Sequence, residues 1–327
     1  MSGRLSEDSL IARYFAPLAA EGGLGLMDDA ACLTPRPDHD LVLTTDSLVE
    51  AVHFFPDDAA GSIARKALGV NVSDLAAKGA EPTGFLLNLA LPPDWTEAWL
   101  ADFAAGLGAA ARDFACPLLG GDTVRTTGPL TLSITALGEV PRGRMVKRTS
   151  AQVGDAICVS GTIGDAALGL ALRRSTDLGK PLPEGVVSYL VDRYLHPQPR
   201  HRLAKVLRDH ASAAMDVSDG LVGDLAKMMR ASGVSAMVDL DRVPLSEPAR
   251  LFIDGQTDRL DRALTGGDDY EILCTVSQTR LDSFRKQADS LGIPITVIGQ
   301  VVSGDNPPVF RLGGSEKRYD GGSYSHF

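Results

Sequence analysis

The sequence predicts two mixed domains, each α/β or α+β in class. Three observations carry this. The chain has 327 residues, room for about two ordinary domains. Segments of strand and helix character are mixed in both halves, the pattern of layered rather than single-type domains. A stretch rich in Pro, Gly, Arg and Lys, 141–154, separates the halves and supplies the boundary, so the domains are placed at 1–145 and 146–327.

The elements follow in order. Ser6 is placed to cap a helix whose apolar stripe is Leu10, Ile11, Tyr14, Phe15 and Leu18. Residues 41–45 are β-rich and end at Asp46. Ser62 is expected to cap a helix to about Lys78, with Gly79 as its stop. Residues 85–91 read as a strand closed by Pro92-Pro93, and Thr96 opens a long helix to about Phe114. Residues 117–119 form a short strand entering a Gly120-Gly121-Asp122-Thr123 turn, and 130–140 form another. Beyond the boundary come a strand (156–160), a helix (165–174), a Pro/Gly-rich loop (179–185), and helices near 186–195 and 200–210. A strand at 213–217 feeds Ser218-Asp219-Gly220 and a helix to Ala231. Strands near 235–240, 270–276 and 294–302 and a helix at 278–291 complete the reading.

Charge excludes several functions. There are 32 Lys and Arg against 42 Asp and Glu, a net charge of −10. A nucleic-acid binder or a protein held on an anionic membrane needs a basic face. No apolar run is long enough to span a bilayer, and the polar, acidic start is not a signal peptide, so a cytoplasmic location is expected. Cys32, Cys116, Cys158 and Cys274 form no Cys-x-x-Cys pair and have apolar neighbours, so buried free thiols are expected.

The aspartates carry the chemistry. Asp28 and Asp29 adjoin an apolar run, Asp46 ends a strand, and Asp74 sits in an otherwise apolar helix. Asp122 follows one Gly-Gly pair, Asp268 and Asp269 another, and Asp216 and Asp219 bracket a strand end and a helix start. An ionised carboxylate in apolar surroundings is costly unless paired or metal-bound. Any single one, Asp219 for instance, reads equally as a helix cap. So many together point to magnesium, a hard cation that bridges carboxylates to substrate phosphates. Such ions would let an acidic protein hold ATP, with the acids converging on one cradle. Asn71, Asp74 and Lys78 share a helix face, which is either part of that site or a solvated stripe. The loop Gly161-Thr162-Ile163-Gly164-Asp165 is either a phosphate cradle or a tight turn. Arg142, Arg144, Lys147 and Arg148 are either phosphate contacts or linker. The two halves also echo one another, Asn71 to Asp74 (NVSD) in Asp216 to Asp219 (DVSD), and GGD at 120–122 in GGD at 266–268.

In order along the chain stand SLIARYF (9–15), DDAA (28–31), TTDSLV (44–49) with His53-Phe54, Lys66-Ala67-Leu68 and NVSDLAA (71–77). GGDT (120–123), Arg148 ahead of Gly154-Asp155, DVSDGL (216–221), GGDDYE (266–271) and YSHF (324–327) follow. By these the chain resembles the thiamine-monophosphate kinase family, within the aminoimidazole ribonucleotide synthetase-like superfamily. The resemblance implies a two-domain fold whose N-terminal strands pair across a homodimer, and magnesium-dependent transfer of a phosphoryl group from ATP to thiamine monophosphate. It implies Asp29, Thr44, Thr45, Asp46, Asp74, Asp122, Asp216 and Asp219 as metal ligands. Gly121, Asp122, Arg148 and Ser218 match ATP contacts, and His53, Asp268 and Tyr324 match acceptor contacts. The alternative is another ATP-using member of that superfamily: a ring-closing or amide-activating synthetase, or a selenide- or hydrogenase-maturation type. Met27, Lys78, Asp268 and Ser323 depart from the usual Gly, Met, Glu and Gly.

Overall fold

The computed structural model describes residues 6–174 and 182–319. The chain divides into two compact units, Met1–Leu75 with Ala80–Gly143, and Ala76–Gly79 with Arg144–Phe327.

In the first unit, Ser6 caps α1 (Glu7–Leu10), its side chain accepting from the Ser9 amide. The winding then widens to a π-helical turn over Ile11–Phe15. β1 (His39–Val49) runs past Asp46, because its antiparallel pairing with β4 (Thr131–Pro141) continues to Val49↔Thr131. Asp46 is therefore inside a strand, not at its end. α2 (Ala60–Ala77) begins ahead of Ser62, whose own amide already bonds the Ala59 carbonyl at 2.9 Å, so Ser62 is not the cap. Gly79, at φ 69°, lies just past the helix end. β2 is Glu81–Leu91, and Thr96 caps α3 (Glu97–Asp113) as expected. β3 (Leu118–Arg125) takes in Gly120, Gly121 and Asp122, which pair in parallel with β2 and form no turn.

The sheet order is β1-β4-β2-β3. Alternation gives it two different faces. Val42, Leu48, Ile134, Ala136, Leu87 and Leu89 are buried, and α2 reaches this side through Leu75 beside Gly138. On the other side Leu43, Thr45, Leu86, Asn88 and Asp122 are exposed. α3 is tied along α2 by the Gly61 amide on Asp102 at 2.9 Å and by Arg65–Asp113 at 2.6 Å.

The second unit contains β5 (Ala156–Ser160), α4 (Asp165–Arg174), α5 (Glu184–Leu195), α6 (Ala204–His210), β6 (Ala211–Asp216) and α7 (Leu221–Ser232). Then come β7 (Ser235–Asp239), α8 (Glu247–Ile253), α9 (Thr257–Thr265), β8 (Ile272–Val276), α10 (Leu281–Ser290), β9 (Ile295–Val302), β10 (Val309–Leu312) and β11 (Ser315–Lys317). The seven-stranded sheet runs β11-β10-β7-β9-β5-β8-β6, and its strands β5 and β8 are buried on both faces. Ile157, Val159, Leu225 and Ile298 pack on one side, and Cys158, Cys274, Leu207 and Phe284 on the other. Double burial explains why β5 and β8 read as continuous apolar runs. The sequence reading missed α8, α9, β10 and β11. α8 and α9 are short; α9 carries a helical period in Leu260, Ala263 and Leu264, but over fewer than three turns among charged neighbours, and the sequence reading passes over it. Cys116, Cys158 and Cys274 are buried free thiols; Cys32 is exposed, against expectation, because it lies in irregular chain ahead of β1. Among the described residues no helix is long and apolar enough to cross a membrane.

Candidate functional site

The structure places the sequence-derived site residues in groups. The first joins β1 to α2. The Thr44 hydroxyl donates to Asp74 Oδ2 at 2.5 Å, and the Asp46 amide donates to Asn71 Oδ1 at 3.1 Å. Asn71, fully buried, also donates to the Ala67 carbonyl at 3.0 Å, which fixes its amide orientation. The face carrying Asn71 and Asp74 is thus turned to the strand and is not a solvated stripe. Lys78 leaves that face and donates to the Ala214 carbonyl at 2.7 Å within the second unit.

The second group lies on the other side of the same sheet. Strand register aligns Asp46 with Ile134, Leu87 and Gly121, and Asp122 with Asn88, Ser133 and Ser47. Thr44 and Asp46 therefore share the buried face, while Thr45 and Asp122 share the open one. Three strand spacings, about 14 Å in all, separate β1 from β3. A cleft of about 720 Å³ is lined here by Asp29, Asn88, Gly121, Asp122 and Thr135 among others. Gly121 has φ 153°, and a Cβ on it would stand 1.8 Å from the Leu87 carbonyl oxygen, so no other residue fits beside β2. His53 sits after β1, its Nδ1 accepting from the Val49 amide at 3.0 Å, which leaves Nε2 as the protonated nitrogen when the ring is neutral.

The third group is in the second unit. Asp216 ends β6, and the chain beyond it runs beside GGDDYE. The Val217 amide bonds the Glu271 carbonyl at 2.8 Å, Tyr270 bonds Val217 at 2.9 Å, and Asp268 bonds Ser218 at 2.9 Å. Gly267 is required here, since a Cβ would meet the Ser218 carbonyl oxygen at 2.1 Å. Asp219 does not cap α7. Its carboxylate pairs with Lys227 at 2.5 Å; the N-cap is Gly220 with no side-chain cap bond, and Asp224, inside α7, accepts from the Ser218 and Asp219 amides ahead of the helix at 3.0 and 2.9 Å. Burial pushes the Asp224 carboxyl up, with Lys227 opposing. Burial pulls Lys227 down, but Asp219 and Asp224 outweigh it and hold the ammonium above its ordinary value.

The loop 161–165 is not an open phosphate cradle either. Its Gly164 amide donates to Asp269 Oδ2 at 2.6 Å, and the Ala166 amide to Oδ1 at 3.3 Å. Of the basic cluster, Arg142 pairs with Asp38 at 3.7 Å and Arg144 with Asp209 at 3.6 Å; Arg148 is exposed. Tyr324 lies outside the described residues. Burial raises the Cys116 thiol to about 12, so it offers no thiolate nucleophile.

Magnesium suits these donors: carboxylates and hydroxyls only, in an acidic protein. Among the described residues no three of His, Cys, Asp and Glu stand close enough to hold a metal by themselves. The acids therefore do not converge on the single cradle expected from the sequence; a magnesium ion here would take one or two protein carboxylates and complete its shell with water and phosphate oxygens. Sequence reasoning missed Asn71's bond to β1, Asp224 and Lys227, and the buried acids Asp165 and Glu271. The signal for Asn71 was its i, i+3 spacing to Asp74; Glu271 gave none beyond its place in a motif.

Comparison with known proteins defines the class first. The description "AIR synthase related protein, N-terminal domain" matches residues 27–140, and its C-terminal counterpart matches 152–310. A curated thiamine-monophosphate kinase of Caulobacter vibrioides is 42% identical over 308 residues, 93% of this chain and 86% of the relative. The crystal structure of thiamine-monophosphate kinase from Stenotrophomonas maltophilia aligns with TM-score 0.80 at 42% identity, covering 89% of this chain and 91% of that one. AaThiL complexed with AMPPCP and TMP aligns over 100% of both chains, with TM-score 0.78 and 31% identity. The hydrogenase maturation protein HypE in complex with ATP shares the fold at TM-score 0.79 over 97% of this chain, but at 22% identity. The chain belongs to the thiamine-monophosphate kinase family.

Proposed function

We propose that this chain transfers the γ-phosphoryl group of ATP to the phosphate of thiamine monophosphate, giving thiamine diphosphate and ADP. The observation that carries this is the full-length likeness to AaThiL complexed with AMPPCP, an ATP analogue, and TMP. The acceptor is a phosphate monoester with a second pKa of about 6, so near neutral pH it is mostly a dianion and already nucleophilic. No side chain has to remove a proton from it, and the transfer is direct and in line. The obstacle is repulsion between two polyanions.

Magnesium, when bound, neutralises the phosphates and aligns their oxygens. We assign Asp29, Thr44, Thr45, Asp46, Asp74, Asp122, Asp216 and Asp219 to hold it. Asp46 is supported by Asn71 on its amide, and Asp74 by Thr44 on its carboxylate. Gly121, with no side chain to block the cleft, together with Asp122, Arg148 and Ser218, is assigned to ATP. His53, Asp268 and Tyr324 are assigned to the acceptor. The domains 1–145 and 146–327 would then divide the work, the first holding metal and ATP phosphates. Leu41, Leu43, Leu86 and Val124 are exposed on the first unit, and we assign its strands to pairing with those of a second copy in a homodimer. A cytoplasmic location suits four free cysteines.

The test is ADP release with thiamine monophosphate, thiamine or an aminoimidazole ribonucleotide precursor as acceptor. Activity is expected with the first only; equal activity with a precursor overturns the assignment.

A further inference from the structure

GGDDYE alternates in an unusual way. Asp268 and Tyr270 have φ of 73° and 52°, a left-handed backbone that side chains rarely adopt, while Asp269 and Glu271 between and after them are buried. Something must hold two such residues in place. The Glu271 carboxylate accepts from Ser160 Oγ at 2.6 Å, from Arg200 Nε at 2.7 Å and also from Arg200 Nη2 in a fork, and from Arg193 Nη2 at 3.2 Å. Arg193 Nε also stands 3.9 Å from Asp165, whose carboxylate takes the hydroxyls of Ser246 at 2.5 Å and Thr162 at 2.6 Å. Asp269 in turn holds the amides that open α4. Every one of these partners lies on an element other than the motif itself.

We infer that Arg200, with Arg193, is a positioning residue of the acceptor site: through its forked contact with buried Glu271 it fixes the left-handed backbone that presents Asp268 beside Ser218. The inference rests on the assignment of Asp268 to the acceptor. The bond pattern makes the coupling direct. Glu271 is locked by its side chain, and its carbonyl receives the Val217 amide at 2.8 Å. Shifting Glu271 therefore moves both irregular segments, the one that carries Ser218 and the one that carries Asp268. An arginine at this position supplies two parallel donors, which a lysine does not.

The experiment uses Arg200→Gln and Arg200→Lys in the full chain, with amide hydrogen exchange read by mass spectrometry and kinetics for both substrates. For Arg200→Gln we expect at least tenfold faster exchange in the peptide 266–272, unchanged exchange in 118–125, at least a tenfold rise in KM for thiamine monophosphate, and a smaller rise in KM for ATP, transmitted through Ser218. Arg200→Lys, which keeps the charge but loses the fork, should fall between Arg200→Gln and wild type, and it decides the matter if Arg200→Gln does not fold. Wild-type exchange in 266–272, or loss of protection equal in both peptides, overturns the positioning role. Asp268→Ala separates the two readings. An unchanged acceptor KM in that variant removes Asp268 from the acceptor site, while the exchange result still judges Arg200.

Discussion

Three acids of each unit are held in opposite ways. In the second, Asp165, Asp269 and Glu271 are buried, and arginines, hydroxyls and backbone amides complete their bonding. In the first, Asp29 and Asp122 are exposed in a cleft and Asp74 is half-buried with one hydroxyl partner; none of the three takes part in an ion pair among the described residues. The difference teaches how to sort acids that look alike in sequence. A carboxylate already neutralised in the core maintains the fold. One left accessible and incompletely satisfied is available to a metal ion and its phosphate ligands.

The sharpest way to break this comparison is to neutralise acids of the first kind and the second in parallel. Asp46→Asn and Asp122→Asn should each lower kcat by about 100-fold or more, the size expected when a charge-stabilising group is lost, with thermal melting unchanged. Near-normal rates in either variant count against the metal assignment. Glu271→Gln should do the reverse at the level of folding. It leaves Arg200 without its carboxylate and Arg193 with Asp165 alone, and urea titration should show a loss of about 3–5 kcal/mol.

Asp269→Asn sharpens the contrast within the core. Burial holds the Asp269 carboxyl well above its ordinary value, so an uncharged isostere should cost only about 1 kcal/mol at neutral pH. The pH dependence has a defined sign. A carboxyl raised in the folded state contributes its stability fully below the unfolded value of about 3.9 and loses it as pH rises toward the folded one. Wild type should therefore lose stability relative to Asp269→Asn as pH climbs through that window, seen by melting both proteins from pH 4 upward. A gap that stays constant with pH contradicts the shift. Lys227→Met leaves the buried Asp224 carboxylate with backbone amides alone and should cost about 1–3 kcal/mol, yet release Asp219 and lower the magnesium concentration needed for half-maximal rate. An unchanged magnesium requirement detaches Asp219 from the metal site.

The sequence carried the order of the motifs, which together name the family, and most elements long enough to show a period. It was weaker on what each acid does. Asp219 looked like a helix cap, but α7 has no side-chain cap at its N-terminus, and Asp219 pairs with Lys227 from the following helix instead. The loop 161–165 looked able to hold a phosphate, but a side chain more than a hundred residues away fills it. The internal echoes share no local structure, for the same reason. Asn71 to Asp74 lies in mid-helix while Asp216 to Asp219 leaves a strand end, and GGD at 120–122 is in a strand while GGD at 266–268 is irregular. Short strings encode local options; tertiary partners choose among them.

The central claim is best tested by following the full chain with ATP, thiamine monophosphate and magnesium by phosphorus NMR. The account predicts that the diphosphate resonances of thiamine diphosphate grow one for one with ADP and stop growing when EDTA is added. ADP formed without thiamine diphosphate, or transfer that continues undiminished in EDTA, contradicts it.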